Sequence, residues 1–169
     1  MAHQEPVERP ADPATISLPG QDGDQATWSR PVTEIMSSPV IAVTADTRLN
    51  QVLGAMLQTG RRHMVVIDDA GRCTGLVSEW LLAQTSTADV TALAAIHVGQ
   101  ILTGPPPVVG PRAPVADAAA VMVRDGTNAV VVVDSDGRPV GVVTGSDLIR
   151  LLADHGHVAI ELDPAAAAW

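Results

Sequence analysis

The chain has 169 residues, of which 46% are apolar, and a formal net charge of −9 at pH 7. Its ten basic residues are all arginines, and the acidic balance argues against a nucleic-acid partner, because phosphate backbones are held by clustered basic residues. No apolar run approaches the roughly 18 residues of a membrane span, and the lone Cys73 excludes an intrachain disulfide. We therefore expect a cytoplasmic protein that does not contact membranes and forms one domain, or two small repeats with a shared core.

Residues 1–30 contain Pro, Gln, Asp, Gly and Ala without any period. Such a segment cannot bury enough apolar surface to offset its ordering entropy, so the sequence predicts a flexible N-terminal tail. Trp28 is the exception within it, since this side chain either docks on the folded part of the chain or lies exposed. The sequence leaves both alternatives open.

Beyond the tail the sequence is duplicated. With a shift of 66 residues, residues 32–82 align with residues 98–148 without a gap. This self-similarity predicts two copies of one structural unit. Identical residues occupy many equivalent positions, among them Ile35/Ile101, Pro39/Pro105, Val43/Val109, Met56/Met122, Gly60/Gly126, Asp68/Asp134, Gly71/Gly137, Arg72/Arg138 and Gly75/Gly141.

Each copy begins with a short extended segment, at residues 40–43 and 108–109, followed by an amphipathic helix. The apolar residues of both helices follow the i, i+3, i+4, i+7, i+8 spacing of one helical face. Gly60 and Gly126 end the helices, at a position where a left-handed backbone is easiest for glycine. The two stripes are Leu49, Val52, Leu53, Met56 and Leu57, and Val115, Ala118, Ala119, Met122 and Val123.

A strand, a turn and a second strand come next in each copy. The first strands cover residues 64–67 and 130–133, and the second strands end at Val77 and Val143. The turns between them are rich in Asp and Gly, which predicts a β-hairpin rather than a metal loop.

A final helix in each copy starts at Ser78 or Thr144, which completes a β-α-β-β-α repeat. Neither repeat can cover both faces of its small sheet, so we expect an α/β fold in which the repeats pack about a pseudo-twofold axis. The linker is predicted to contain a short helix after Asp89. The predicted boundaries are residues 31–84 and 98–154 for the repeats, 85–97 for the linker and 155–169 for a C-terminal tail.

The two final helices differ at one important position near their start. The second copy reads Thr144-Gly145-Ser146-Asp147, whereas Leu81 stands where Asp147 would be expected in the first. The T-x-x-D pattern fits a capping box, in which Asp147 reaches back to the start of its helix. A carboxylate beside free N–H groups also suits the hydroxyls of a ribose, with phosphate near the helix start. Glu79 cannot substitute for the missing acid, because two positions turn a side chain about 200° around the helix.

The two repeats resemble a tandem pair of cystathionine-β-synthase (CBS) domains, often called a Bateman module. Both hairpins share the pattern D-x-x-G-R-x-x-G and end in an apolar pair followed by Ser or Thr, and the second copy adds G-V-V-T-G-S-D at residues 141–147. This resemblance covers about residues 31–154. It implies a regulatory fold that binds adenosine derivatives in clefts between the repeats and commonly dimerises.

The resemblance implies roles for particular residues. The acid of the second copy, Asp147, matches a ribose-binding position, and Thr144 and Ser146 match positions near phosphate. Positive charge is implied to come from the other repeat, just before its hairpin strand, where Arg62 and His63 lie. The equivalent residues of the second copy are uncharged Asn128 and Ala129, so the cleft that contains Leu81 has lost both parts of the site. The candidate ligand-binding residues are Asp147, Thr144, Ser146, Arg62 and His63, together with Val109.

Simpler interpretations of the same residues remain open. Residues 61–63 also suit a solvated loop after a helix, and Trp80 either plugs the Leu81 cleft or packs as an ordinary amphipathic aromatic. His155 and His157 near Asp154 are more typical of a helix end than of a metal site, so no metal is expected.

We expect a stand-alone regulatory module rather than an enzyme, since no phosphate loop, paired carboxylates or nucleophile motif occurs. Its expected ligand is AMP, ADP or ATP, bound in one cleft, with a regulated partner protein as the recipient of the signal. The chain is expected to form a homodimer. The alternative is a scaffold that binds no ligand.

Overall fold

The computed structural model describes residues 26–85 and 90–154. Most of the predicted N-terminal tail (1–25), part of the linker (86–89) and the C-terminal tail (155–169) lie outside the described residues, as do the two C-terminal histidines. Trp28 lies in a helical segment, of which residues 26–28 are described, and its side chain is partly buried.

The first repeat contains three strands and two helices in the predicted order. They are β1 (Ala42–Thr44), α1 (Leu49–Thr59), β2 (His63–Ile67), β3 (Cys73–Ser78) and α2 (Glu79–Thr85). The apolar stripe of α1 is buried through Leu49, Val52 and Met56. Gly60 follows the helix with a φ of 65°, the left-handed conformation that its position requires.

The second repeat reproduces this arrangement. Its elements are β4 (Val108–Val109), α3 (Val115–Asp125), β5 (Ala129–Val133), β6 (Pro139–Thr144) and α4 (Gly145–Asp154). The predicted short helix of the linker is a 3₁₀ helix at Val90–Ala94. Within the described ranges, none of the helices combines the length and apolarity that crossing a bilayer requires.

Each repeat forms its own three-stranded sheet. The strand orders are β1-β2-β3 and β4-β5-β6, with the first pair of each sheet parallel and the second antiparallel. The two hairpins have the same register, so His63 lies opposite Ser78 as Ala129 lies opposite Thr144. The predicted duplication and α/β fold are thus confirmed down to individual strand pairs.

The segments that precede the first strand of each repeat are exchanged between the two repeats. The backbone N–H of Val32 donates to the carbonyl of Ala113 at 2.9 Å, and Ser37 exchanges two backbone hydrogen bonds with Val142. Reciprocally, the N–H of Val98 donates to the carbonyl of Thr47 at 2.9 Å. Val32 is therefore buried in the core of the second repeat, and Val98 in the core of the first.

Two equivalent glycines permit this exchange. A Cβ atom on Gly141 would collide with the side chain of Met36, and one on Gly75 would lie 2.7 Å from a methyl group of Leu102. Met36 and Leu102 are equivalent residues of the two exchanged segments. Glycine is needed at both positions because only a backbone without a side chain allows this close approach.

A third apolar cluster joins the two sheets. It contains Val65 from the first sheet and Val131 and Val142 from the second, and the N–H of Cys73 donates to the carbonyl of Gly137 across the hairpins at 2.9 Å. The repeats accordingly share a core, and the first residues of β2 and β5 lie beside the starts of the final helices.

Candidate functional site

Two clefts of similar size lie where the start of a final helix meets the other repeat. One, called here the Asp147 cleft, has a volume of about 450 Å³, and the other, the Leu81 cleft, has a volume of about 480 Å³. Both fall within the range of small-molecule sites. Since their volumes are nearly equal, their chemistry must distinguish them.

The Asp147 cleft brings together residues of both repeats. Five of the six candidate residues line it: Arg62 and His63 from the first repeat, and Thr144, Ser146 and Asp147 from the second. Gly60, Arg61, Asn128, Val142, Gly145, Ile149 and Arg150 complete the lining. Asn128 was expected at the Leu81 cleft alone, but this residue lies between the two clefts and lines both.

Asp147 holds the start of α4. Its Oδ2 atom accepts hydrogen bonds from the backbone N–H of Thr144 at 2.8 Å and from the Thr144 hydroxyl at 2.7 Å. The first of these is the acid's half of a capping box, so that interpretation is correct for Asp147. The hydroxyl, however, points to the carboxylate instead of capping a backbone N–H. Asp147 is only 7% exposed, so its charge sits in a largely desolvated position.

The second carboxylate oxygen of Asp147 faces Arg150, a residue that the sequence analysis missed. The Arg150 guanidinium lies 3.6 Å from Oδ1, which is an ion pair too long for a hydrogen bond. The i,i+3 spacing on one helix was the available signal, because such residues lie on the same face.

His63 bridges the repeats. Its Nε2 atom lies 3.0 Å from Oδ1 of Asn128. Burial lowers the pKa of His63 from its ordinary value of 6.5, and the nearby Arg62 guanidinium acts in the same direction, while the hydrogen bond to Asn128 and the Asp147 carboxylate oppose them. The ring is therefore neutral at pH 7 and available as a hydrogen-bonding group or as a cation at lower pH.

Arg62 is held loosely beside this cleft. Its Nε lies 3.7 Å from the carboxylate of Glu79, and both side chains are exposed, so the pair contributes little. Glu79 is not among the residues that line either cleft, as expected from its position on the helix.

The Leu81 cleft has a similar volume but no charged lining among the described residues. Ser78, Trp80, Leu81, Gly126, Thr127 and Asn128 form it. Here the Ser78 hydroxyl accepts a hydrogen bond from the Leu81 N–H at 3.1 Å, an ordinary helix cap. Trp80 is 67% exposed and leaves the cleft open, so it neither plugs this space nor packs in a core. Ala129, which was expected to face this cleft, is fully buried in β5.

Val109 does not join the other candidate residues. In β4 the side chains alternate, so Val108 is exposed while Val109 points into the core of the second repeat. It borders a separate shallow cavity that also contacts Arg124 on α3. No group of three or more potential metal ligands occurs within residues 26–85 and 90–154.

Comparison with known proteins identifies the repeats. The family model of the CBS domain matches twice, at residues 32–84 and 98–154. An uncharacterized protein of Methanocaldococcus jannaschii is 30% identical over 127 residues, which is 74% of this chain and 28% of that protein. The chain spans about a quarter of the length of several such curated relatives.

Solved structures show the same fold. The CBS domain pair of protein MJ0100, solved with 5′-methylthioadenosine and S-adenosyl-L-methionine, superposes with a TM-score of 0.66 at 24% identity, over 73% of this chain and 96% of that one. CBSX2, solved in complex with AMP, superposes with a TM-score of 0.63 at 24% identity, over 74% of this chain and 97% of that one.

Proposed function

Because the chain belongs to the CBS domain family, as both repeats match it, we propose that it is a regulatory module that binds an adenosine nucleotide in the Asp147 cleft and signals to a partner protein. The nucleotide would be AMP, ADP or ATP, and its binding would involve no catalysis. Structurally similar CBS pairs bind AMP, S-adenosyl-L-methionine and 5′-methylthioadenosine, which supports an adenosine-containing ligand.

The observation that carries this proposal is the composition of the Asp147 cleft. It combines a carboxylate suited to ribose hydroxyls with guanidinium groups suited to phosphate, supplied by different repeats. Thr144 and Ser146 add hydroxyls on the α4 side of the same space. The Leu81 cleft has neither the carboxylate nor the cations in its described lining. One nucleotide per chain is therefore expected.

Isothermal titration calorimetry with ADP tests this stoichiometry. We expect one site per chain in the wild-type protein, and the same single site in Leu81→Ala, which alters the other cleft. Two equal sites per chain would contradict the assignment to one cleft, and absence of binding by AMP, ADP and ATP alike would contradict the proposed function.

A scaffold that binds no ligand is the second candidate, and one observation favours it. Asp147 already accepts two hydrogen bonds from Thr144, so its burial has a structural explanation without a nucleotide. Thermal unfolding separates the candidates, because a ligand that binds the native state raises the melting temperature in a concentration-dependent way. A scaffold predicts the same melting temperature with and without millimolar nucleotide.

A homodimer is part of the proposal, and two equivalent side chains support it. Leu57 on α1 and Val123 on α3 are 77% and 84% exposed, although they belong to the apolar stripes of their helices. Exposed apolar residues at matched positions suit a self-complementary interface. Light scattering is expected to give twice the monomer mass of 17.5 kDa, and a shift toward monomer in the double variant Leu57→Glu, Val123→Glu.

A further inference from the structure

We infer that the Asp147 cleft distinguishes adenosine nucleotides by phosphate number, with ADP bound more tightly than AMP, and that Arg150 is the residue that sets this preference. The inference rests on the proposed function, since it concerns the ligand class of the same cleft.

The charge of the cleft supports an anionic ligand. Its lining contains three arginines, Arg61, Arg62 and Arg150, and one carboxylate, Asp147, so it carries a formal excess of two positive charges while His63 is neutral. The chain as a whole has a net charge of −9. This local excess in an acidic protein attracts a nucleotide more strongly with each phosphate that the nucleotide carries.

On α4, Arg150 lies near the proposed contacts of both the ribose and the phosphate. Arg150 lies three residues after Asp147, the proposed ribose contact, and four residues after Ser146, the proposed phosphate contact. Residues three and four apart share a helical face, and four residues advance about 6 Å along the axis. Arg150 therefore shares the cleft-lining side of α4 with both residues, at a distance that its long side chain can span toward a phosphate chain that starts near Ser146.

Arg150 is also free to change partner. Its contact with Asp147 is a single ion pair of 3.6 Å, and its side chain is 72% exposed whereas that of Asp147 is 8% exposed. When ribose hydroxyls donate to the Asp147 carboxylate, they replace the partial neutralisation that Arg150 supplies in the ligand-free protein. Arg150 can then turn to a phosphate with little loss, because an exposed, long ion pair contributes weakly.

The other two arginines provide the first phosphate contact. Arg61 and Arg62 follow the end of α1 on the opposite wall of the cleft, and the exposed Arg62 guanidinium lies 3.7 Å from the Glu79 carboxylate. Arg61 makes no ion pair within residues 26–85 and 90–154. Arginines on both walls suit a chain of two or more phosphates better than a single phosphate, which one guanidinium can hold with two parallel hydrogen bonds.

The test measures dissociation constants of adenosine, AMP and ADP for the wild-type protein and for Arg150→Gln. The wild type should bind ADP roughly tenfold more tightly than AMP, since a charge-assisted contact is gained. In Arg150→Gln this ratio should fall to about one to three, while AMP affinity changes less than about threefold. The matched control is Arg124→Gln, which removes the same charge from α3, where Arg124 pairs with Asp125 outside the cleft, and should keep the wild-type ratio.

The outcomes separate this inference from the proposed function. Equal affinities for AMP and ADP in the wild type, or an unchanged ratio in Arg150→Gln, would overturn the inference and leave nucleotide binding intact. Absence of binding by all three compounds would overturn the inference, and absence of binding by ATP as well would overturn the proposed function. Two controls exclude a misfolded helix as the cause of a lower ratio of ADP to AMP affinity. Circular dichroism reports the helix content of Arg150→Gln, and Arg150→Lys, which keeps the positive charge, should retain part of the preference for ADP.

Discussion

The Asp147 cleft and the Leu81 cleft occupy equivalent places in the two halves of one duplicated structure. Several residues that build the scaffold are the same in both, including the glycines at positions 75 and 141 and the helix-ending glycines at 60 and 126. The residues that line the clefts are not, since Asp147 corresponds to Leu81 and Arg62 corresponds to Asn128. Packing thus constrains the repeats to remain alike, while the cleft positions are free to diverge.

Each cleft is also lined by residues of both repeats. Asp147 lies on the second repeat and Arg62 on the first, so each repeat supplies one half of the Asp147 cleft. By the same symmetry, Leu81 and Asn128 belong to different repeats yet meet at the Leu81 cleft. The Leu81 cleft therefore differs from the Asp147 cleft at one position in each copy, Leu81 in the first repeat and Asn128 in the second.

Removing the acid should give the largest difference between the clefts. Asp147→Ala is expected to weaken ADP binding roughly 10- to 150-fold, because charge-assisted hydrogen bonds of about 1.5 to 3 kcal/mol are lost. The matched variant Leu81→Ala should leave the affinity unchanged. Calorimetry measures both.

Two further variants sharpen this result. Asp147→Asn keeps an acceptor for the Thr144 N–H and should preserve the start of α4 while still losing affinity, which separates binding from capping. Leu81→Asp should create no second tight site, since the described lining of that cleft holds no cation. Unchanged affinity in Asp147→Ala would show that the carboxylate serves only the helix.

Substituting the two packing glycines should destabilise the fold unequally. In Gly141→Ala the new methyl group meets the Cβ, Cγ and sulfur of Met36, whereas in Gly75→Ala its nearest atoms are the two methyl carbons of Leu102, at 2.7 and 2.9 Å, and then the Cγ at 3.3 Å. Overpacking costs about 1 to 3 kcal/mol, and the cost is larger where the neighbour cannot move aside. Urea unfolding should therefore rank Gly141→Ala as the less stable variant. The reverse order would contradict the unequal packing of the exchanged segments.

The two helix caps should respond differently to the loss of a hydroxyl. Ser78→Ala removes the acceptor of the Leu81 N–H and should cost about 1 kcal/mol of unfolding free energy. Thr144→Ala keeps the backbone bond to Asp147 and loses only the side-chain one, so its cost should be smaller. Thr144→Ala should also weaken ADP binding, whereas Ser78→Ala should leave ADP binding unchanged. Equal stability costs would mean that the Thr144 hydroxyl caps its helix as Ser78 does.

The smallest effect concerns pH. Burial lowers the pKa of His63 below 6.5, so the folded protein takes up a proton here less readily than the unfolded chain. Its contribution to stability is fully present above pH 6.5 and is lost as the pH falls through 6.5 toward the lowered pKa. We expect His63→Gln to lose less stability than the wild type between pH 7 and pH 5, measured by urea unfolding. The equivalent residue, Ala129, has no titratable group. Parallel pH profiles of the wild type and His63→Gln would contradict this assignment.

Much of the fold and most of the candidate site followed from the sequence. The duplication, the apolar stripes of α1 and α3 and the helix-ending glycines are local or periodic signals, and a side chain's neighbours within one element are fixed by helical and strand geometry. The contrast between Asp147 and Leu81 was visible for the same reason, because equivalent positions of a repeat can be compared directly. The pairing of Arg62 and His63 with Asp147 came from the family resemblance, and the cleft lining agrees with it.

Only the tertiary structure decided which segments meet across the chain. The exchange that buries Val32 in the second repeat and Val98 in the first leaves no local pattern, since both residues would look equally well buried in their own repeat. The same holds for Asn128, which borders both clefts. The hydrophobic effect favours burial of a valine but does not specify which residues it packs against. The sequence therefore determined which residues are buried, and the packing of the two sheets determined their neighbours.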